Sequence, residues 1–473
     1  MSSAQAPGTL THLRRKTVVG ILRTWRDLKG TARLAITGEV RPSLPKEDMD
    51  HLRRQMQQCL NSKGGEITAR LQTVELGKTY LSLTESGRTR FLQMLAEDFD
   101  LDRAKLAKRI DALRAAGDKT DPAKLENDLR EALIAPRSTI LRQFNALPDG
   151  FKFLVDMRAD LMPLIGKDPA LKGLEYDLKT ILSAWFDIGL LDLVEITWNS
   201  PAAVLEKLIA YEAVHKVRSW EDLKNRLDAD RRVYAFFHNK MPTEPLIFVH
   251  VALVSGLSDN VQSILDEFSP VVNVKEADTA IFYSISNAQK GLAGISFGNF
   301  LIKRVVDRLT RELKRIKHFS TLSPVPGFRS WLDPLLAKGD ESVFQVKELK
   351  ELKAIGKTDN AAKNLLQLLE GDWYKDAKTA EKLKPVLLRL CAHYLLNEKK
   401  KQTPLDPVAH FHLNNGARLE RINWLGDTSA KAMKQAAGLM VNYYYDLDEI
   451  DNNHEDYATE GRIAASRTVR ALV

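Results

Sequence analysis

Near residue 190 the hydrophobic period of the chain changes, and that change limits the possible folds more than any other feature of the sequence. Up to about Leu190 the apolar residues recur at intervals of three and four, as in Phe91, Met94, Leu95 and Phe99 or in Leu154, Met157, Leu161 and Leu164. That spacing lines one face of amphipathic helices. Turn-forming stretches interrupt it at "NSKGGE" (61–66), "AAGDKTDPAK" (115–124), "LPDGF" (147–151) and "GKDPALKG" (166–173). A helical bundle serving packing or oligomerisation is expected. After "LVEITW" at 193–198, β-branched and aromatic residues gather into short runs instead. "VYAFFH" (233–238), "LIFVHVALV" (246–254) and "AIFYSIS" (280–286) read as strands, the first two joined antiparallel through "NKMPTEP". The expected fold class is α+β, with an all-α domain over 1–190 and a mixed domain over 191–473.

At 473 residues and 44% hydrophobic content, the chain can bury the cores of two or three domains. Its 70 basic and 62 acidic residues give a formal net charge of +8, but the two signs are interspersed, which argues against a nucleic-acid partner. The densest basic stretch, Lys303 to His318, carries Val305, Val306, Leu309, Leu313 and Ile316 at helical spacing, which favours a solvated charged face over a phosphate-binding one. Cys59 and Cys391 are the only cysteines and belong to no CxxC pair, which implies a reducing compartment, here the cytoplasm. No apolar run is long enough to cross a membrane. The first 35 residues are rich in Arg and Thr, with Asp27 the first acid, so a mitochondrial targeting segment stays open.

Two short segments invite chemistry. "GISFG", Gly294 to Gly298, matches the G-x-S-x-G nucleophile elbow around Ser296. The seven residues Asn287 to Ala293 separate it from its strand, however, and the strands lack alternating βα units. A turn whose glycines let backbone N–H groups approach a pyrophosphate, before a helix running from Phe300, is favoured; glycines serving only a tight turn remain the alternative. In "HFHLNNG" (410–416), His410 and His412 share a face if the segment is extended, with Asn415-Gly416 turning the chain after them. The nearest carboxylate, Asp406, lies beyond Pro407, and no third histidine is close, so zinc is disfavoured.

"AIFYSISNAQKGLAGISFGNFLIKRVV" (280–306), "FSTLSPVPGF" (319–328), "PVAHFHLNNGARLERINWLGD" (407–427) and "GLMVNYYYDL" (438–447) together resemble the signature segments of the malonyl-CoA decarboxylase family, in that family's order. The resemblance implies a helical N-terminal domain followed by an acetyltransferase-like (GNAT) catalytic domain. It places the coenzyme A-binding turn on Ala293, Gly294, Ile295, Ser296, Phe297, Gly298 and Asn299. It places a catalytic serine on Ser323, a catalytic histidine on His412 and an active-site tyrosine on Tyr445. From spacing alone, Ser323 before Pro324 is a turn hydroxyl and His412 a satisfied side chain. His410 departs from the family pattern, which has asparagine there.

Losing CO₂ from a malonyl thioester leaves an enolate whose charge collects on the thioester oxygen. The site must therefore supply hydrogen-bond donors there and a proton for carbon. In this scheme Ser323 donates to the acyl group, His412 titrates near neutral pH and protonates carbon, and Tyr445 orients them. Because the thioester delocalises the charge, neither a metal nor an organic cofactor is expected. The expected partners are a CoA thioester and further copies of the chain, as tetramers, with no nucleic acid and no membrane. A thioester hydrolase using Ser296 and a non-catalytic CoA-binding regulator are the competing functions.

Overall fold

The computed structural model describes residues 40–60, 66–116, 121–295 and 300–473. The stretch left open as a targeting segment, parts of the expected turns at 61–66 and 115–124, and Ser296 to Asn299 therefore lie outside the described residues. The chain divides into two compact units between Leu178 and Lys179, within the helix Leu171–Trp185.

The first unit is helical, with segments including Glu85–Glu97, Arg103–Arg114, Pro136–Gln143 and Gly150–Leu161. Their starts follow from sequence: Thr84, Asp102 and Asp121 each accept a backbone N–H in the first turn of the next helix. Phe91, Met94, Leu95 and Phe99 are all buried, as are Leu154, Met157 and Leu161; Leu164, in a tighter turn, is half-buried. Aromatic edges complete the core, with Tyr80 5.0 Å from Phe91 and 5.6 Å from Phe153.

In the second unit an eight-stranded sheet forms among the described residues. Its strands are β1 (Leu191–Ile196), β2 (Arg231–His238), β3 (Ile247–Val254), β4 (Thr279–Asn287), β5 (His318–Thr321), β6 (Ser323–Pro324), β7 (Arg418–Asn423) and β8 (Met440–Tyr444). They follow the order β1-β2-β3-β4-β5-β8-β6, with β7 paired to β8. The three strands expected from β-branched runs are β2, β3 and β4; β2 and β3 pair antiparallel as predicted, and β4 pairs antiparallel with β3. β4 and β5 run parallel, joined by the helix Phe300–Glu312, which buries Ile302, Val305, Val306 and Leu309 and exposes Arg308 and Arg311, while Arg304 is half-buried and donates to the Leu191 carbonyl at 3.0 Å. This parallel pair makes an otherwise antiparallel sheet mixed, and the chain is α+β, as expected. Between β6 and Pro407 the chain is largely helical again, through Phe328–Ala337, Val346–Ile355, Ala361–Leu369 and Ala377–Leu396.

Candidate active site

β5 and β6 follow one another with Leu322 between them, whose N–H bonds to Phe282 of β4. Side chains two apart on extended backbone share a face. Thr321 and Ser323 therefore meet, and the Ser323 hydroxyl donates to Thr321 Oγ1 at 2.9 Å. The same alternation in β8 and its end sends Tyr443 and Tyr445 toward one neighbour, His412: the Tyr443 ring stacks on the imidazole at 4.5 Å, and the Tyr445 hydroxyl lies 2.7 Å from Nδ1.

His412 does not sit on an extended segment. Residues Pro407–Asn414 form a helix, begun by the Asp406 side chain accepting from the N–H groups of Val408 and Ala409. It ends at Gly416, whose φ of +79° suits glycine and where a Cβ would stand 2.0 Å from the Ile450 carbonyl oxygen. The backbone N–H groups of Gly416 and Ala417 bond back to Leu413 and His412, closing the helix. Asn415-Gly416 is thus a helix stop and not a hairpin turn. The shared face expected for the two histidines also fails, because two residues on a helix point roughly 200° apart. His410 is exposed and pairs through Nδ1 with the Tyr457 hydroxyl at 2.6 Å.

His412 Nε2 lies 3.0 Å from Ser323 Oγ. With the serine hydrogen directed at Thr321, the hydrogen-bond pattern assigns Nε2 as the donor to Ser323 and Nδ1 as the acceptor from Tyr445. Burial pushes the imidazole pKa down to about 3. At neutral pH the free protein therefore holds His412 neutral, which corrects the expected titration near pH 7.

That shift has a stability consequence. An unfolded histidine binds its proton below about pH 6.5, whereas folded His412 does so only near pH 3, so folding weakens as pH falls through this window. Between pH 7 and 5 the loss from this one group is about 2 kcal/mol. A His412→Leu variant is expected to show a smaller fall in Tm over that range than the wild type, measured by thermal scans. Equal falls would contradict the assignment.

Ser323 and His412 line a cavity of about 570 Å³ together with Pro324, Val408, Phe411 and Asn415. Across it stand Leu246, Phe282, Ser284 and the stretch Gln289 to Ile295, with Ala288 the one residue of 287–295 besides Gly291 that is not part of the lining. Three residues of the expected CoA-binding turn, Ala293, Gly294 and Ile295, thus face the same cavity as the Ser323 and His412 pair; the other four lie outside the described residues. Gly294 has φ +71°, a conformation that favours glycine. Tyr445 does not line the cavity and stands behind His412.

A second polar group supports the cavity wall. Ser284 lines the cavity and donates to Glu212 Oε1 at 2.7 Å, and the N–H groups of Val214 and His215 donate to the same oxygen at 2.9 Å. The His250 imidazole lies 3.3 Å from Glu212 Oε2, both side chains wholly buried. Burial opposes the carboxylate charge, but His250, Ser284 and the His215 N–H outweigh it and hold the pKa down at about 2. Sequence reasoning missed this cluster, whose members are far apart in the chain. It also missed Thr321, which strand alternation from Ser323 points to, and Tyr443.

A family model described as the malonyl-CoA decarboxylase C-terminal domain matches residues 189–473, and one described as the N-terminal domain matches 99–186. The mitochondrial malonyl-CoA decarboxylase of Anser anser anser is 40% identical over 404 residues, covering 82% of this chain and 80% of the relative. That of Mus musculus is 38% identical over 420 residues, covering 85% of each. The crystal structure of malonyl-CoA decarboxylase from Rhodopseudomonas palustris superposes with a TM-score of 0.81 at 41% identity, covering 89% of this chain and 99% of that one. The Agrobacterium vitis enzyme gives 0.80 at 41% identity, with the same coverage. By both domain matches and these relatives, the chain belongs to the malonyl-CoA decarboxylase family.

Proposed function

We propose that this chain converts malonyl-CoA to acetyl-CoA and CO₂ at the Ser323 and His412 pair. The observation that carries the reading is that pair, 3.0 Å apart on the wall of a ligand-sized cavity that the turn at Ala293 to Ile295 also lines. The turn Ala293 to Asn299, before the helix Phe300–Glu312, would hold the CoA pyrophosphate by backbone N–H groups and the helix dipole. The malonyl group would then reach Ser323 and His412.

In the reaction the bond between the α-carbon and the carboxylate breaks, and its electron pair passes to the α-carbon and thioester oxygen. The apolar lining from Phe282, Leu246 and Val408 strengthens hydrogen bonds to that oxygen by excluding water. Ser323 turns its hydroxyl from Thr321 to the oxyanion. The malonyl carboxylate, a negative charge beside the imidazole, draws the His412 pKa upward from its unliganded position, so a proton is taken up with substrate. Tyr445 accommodates this because its hydroxyl donates to Nδ1 of the neutral ring and accepts from Nδ1–H of the charged one. His412 gives its Nε2 proton to the α-carbon and acetyl-CoA forms; the ring returns to its neutral state, and the proton taken up with substrate is the one consumed per turnover.

The scheme uses no metal or organic cofactor. After dialysis against a chelator, the protein incubated with malonyl-CoA is expected to yield acetyl-CoA and CO₂ in equal amounts. Free CoA with malonate would mean a hydrolase, unchanged malonyl-CoA a regulator, and activity lost and then restored by zinc a metalloenzyme. We also propose that the chain forms homotetramers, supported by exposed Leu71, Leu133, Ile134 and Tyr176 in the helical unit; a monomer-sized particle in light scattering would contradict it. No helix among the described residues is long and apolar enough to cross a membrane. We place the protein in the cytoplasm or mitochondrial matrix, which cell fractionation tests.

A further inference from the structure

The Asp406 carboxylate is fully buried and accepts four hydrogen bonds from three stretches of chain. Oδ1 takes the N–H groups of Val408 at 3.0 Å and Ala409 at 2.9 Å, which begin the helix carrying His412. Oδ2 takes the N–H of Gly327 at 3.2 Å, four residues after Ser323, and the Tyr394 hydroxyl at 3.5 Å. The packing is close: a Cβ on Gly327 would stand 2.1 Å from the Tyr394 hydroxyl oxygen and 3.3 Å from Asp406 Oδ2. One side chain outside the cavity lining thus joins the segment that presents Ser323 to the helix that presents His412.

We propose that Asp406 is a positioning residue for decarboxylation, fixing the Ser323 to His412 separation by tying Gly327 to the first turn of the histidine helix. The inference rests on the reading of Ser323 and His412 as the reacting pair. Capping a helix needs only Oδ1; the bonds to Oδ2 add nothing to the cap, and they are what crosses to the serine segment. Releasing that tie lets the two groups drift from their 3.0 Å contact, and a displacement near 1 Å costs about 10² in rate.

The two duties separate in Asp406→Asn. The amide oxygen keeps the cap, since asparagine caps as well as aspartate, while the amide NH₂ faces the Gly327 N–H, donor against donor. We expect kcat for malonyl-CoA to fall roughly 10- to 100-fold, with KM, CoA affinity and helix content within about twofold of wild type. Gly327→Ala is expected to lose a similar factor, because its methyl meets the Tyr394 hydroxyl. Adding Tyr394→Phe removes that obstacle and is expected to recover most of the loss, which a general loss of folding would not do. The proposal is overturned by a folded Asp406→Asn protein with kcat within about twofold of wild type. It is overturned equally by CoA affinity falling in parallel with kcat, or by a Gly327→Ala loss that Tyr394→Phe fails to relieve. A wild-type protein releasing no CO₂ from malonyl-CoA overturns the functional reading itself, a result seen before any substitution is made.

Discussion

Ser323→Ala and His412→Ala are expected to lower kcat for malonyl-CoA by about 10² to 10³ and 10² to 10⁴, respectively, with CoA affinity nearly unchanged. The first removes a hydroxyl donor to the enolate oxygen, and the second removes the proton source for carbon. Both losses fall on the transition state, so kcat and kcat/KM drop together. Ser296→Ala is expected to act on KM, if at all, because the turn at 293 to 299 is assigned to the pyrophosphate and not to the acyl group. Steady-state kinetics of the three variants checks this. An inactive Ser296→Ala protein beside an active Ser323→Ala protein would reverse the assignment and change the reaction class to hydrolysis.

The largest stability loss is expected at Glu212. Truncation to alanine strands the Ser284 hydroxyl, two backbone N–H groups and a fully buried His250 without the carboxylate they face. Leaving a buried donor without its acceptor costs about 1 to 3 kcal/mol for each group. In a unit of this size that corresponds to a Tm fall on the order of 10 °C. Because Glu212 also holds the backbone of Val214, which lines the cavity, KM for malonyl-CoA should rise as well. A thermal scan within about 2 °C of wild type would show that the cluster contributes little.

How much of this was legible in the sequence depended on how local each cause is. β2, β3 and β4 were readable because runs of β-branched and aromatic residues declare themselves within eight or nine positions. The helical first unit was readable for the same reason, its buried positions recurring every three or four residues. The helix bearing His412 was misread although its signals were present: Asp406 at the cap, Pro407 at the first helical position and Gly416 at the stop. Asn415-Gly416 suggests a hairpin as strongly as a helix end, and eight residues are too few for periodicity to decide. Ser323 and His412 carry no local mark of catalysis; their resemblance to family segments selected them, and only the fold brings Oγ and Nε2 together across 89 positions. The Glu212 cluster and the Asp406 to Gly327 tie were illegible because each joins residues more than 70 positions apart. The neutral state of His412 was out of reach as well, since burial causes it and burial belongs to the fold.

One measurement bears most directly on the central claim. Malonyl-CoA isotopically labelled at its free carboxylate is incubated with wild-type, Ser323→Ala, His412→Ala and Ser296→Ala proteins, and the label is followed. Labelled CO₂ and unlabelled acetyl-CoA, in equal amounts, are expected from the wild type and Ser296→Ala proteins and only in traces from the other two. Label retained in malonate beside free CoA, abolished by Ser296→Ala alone, would contradict the account.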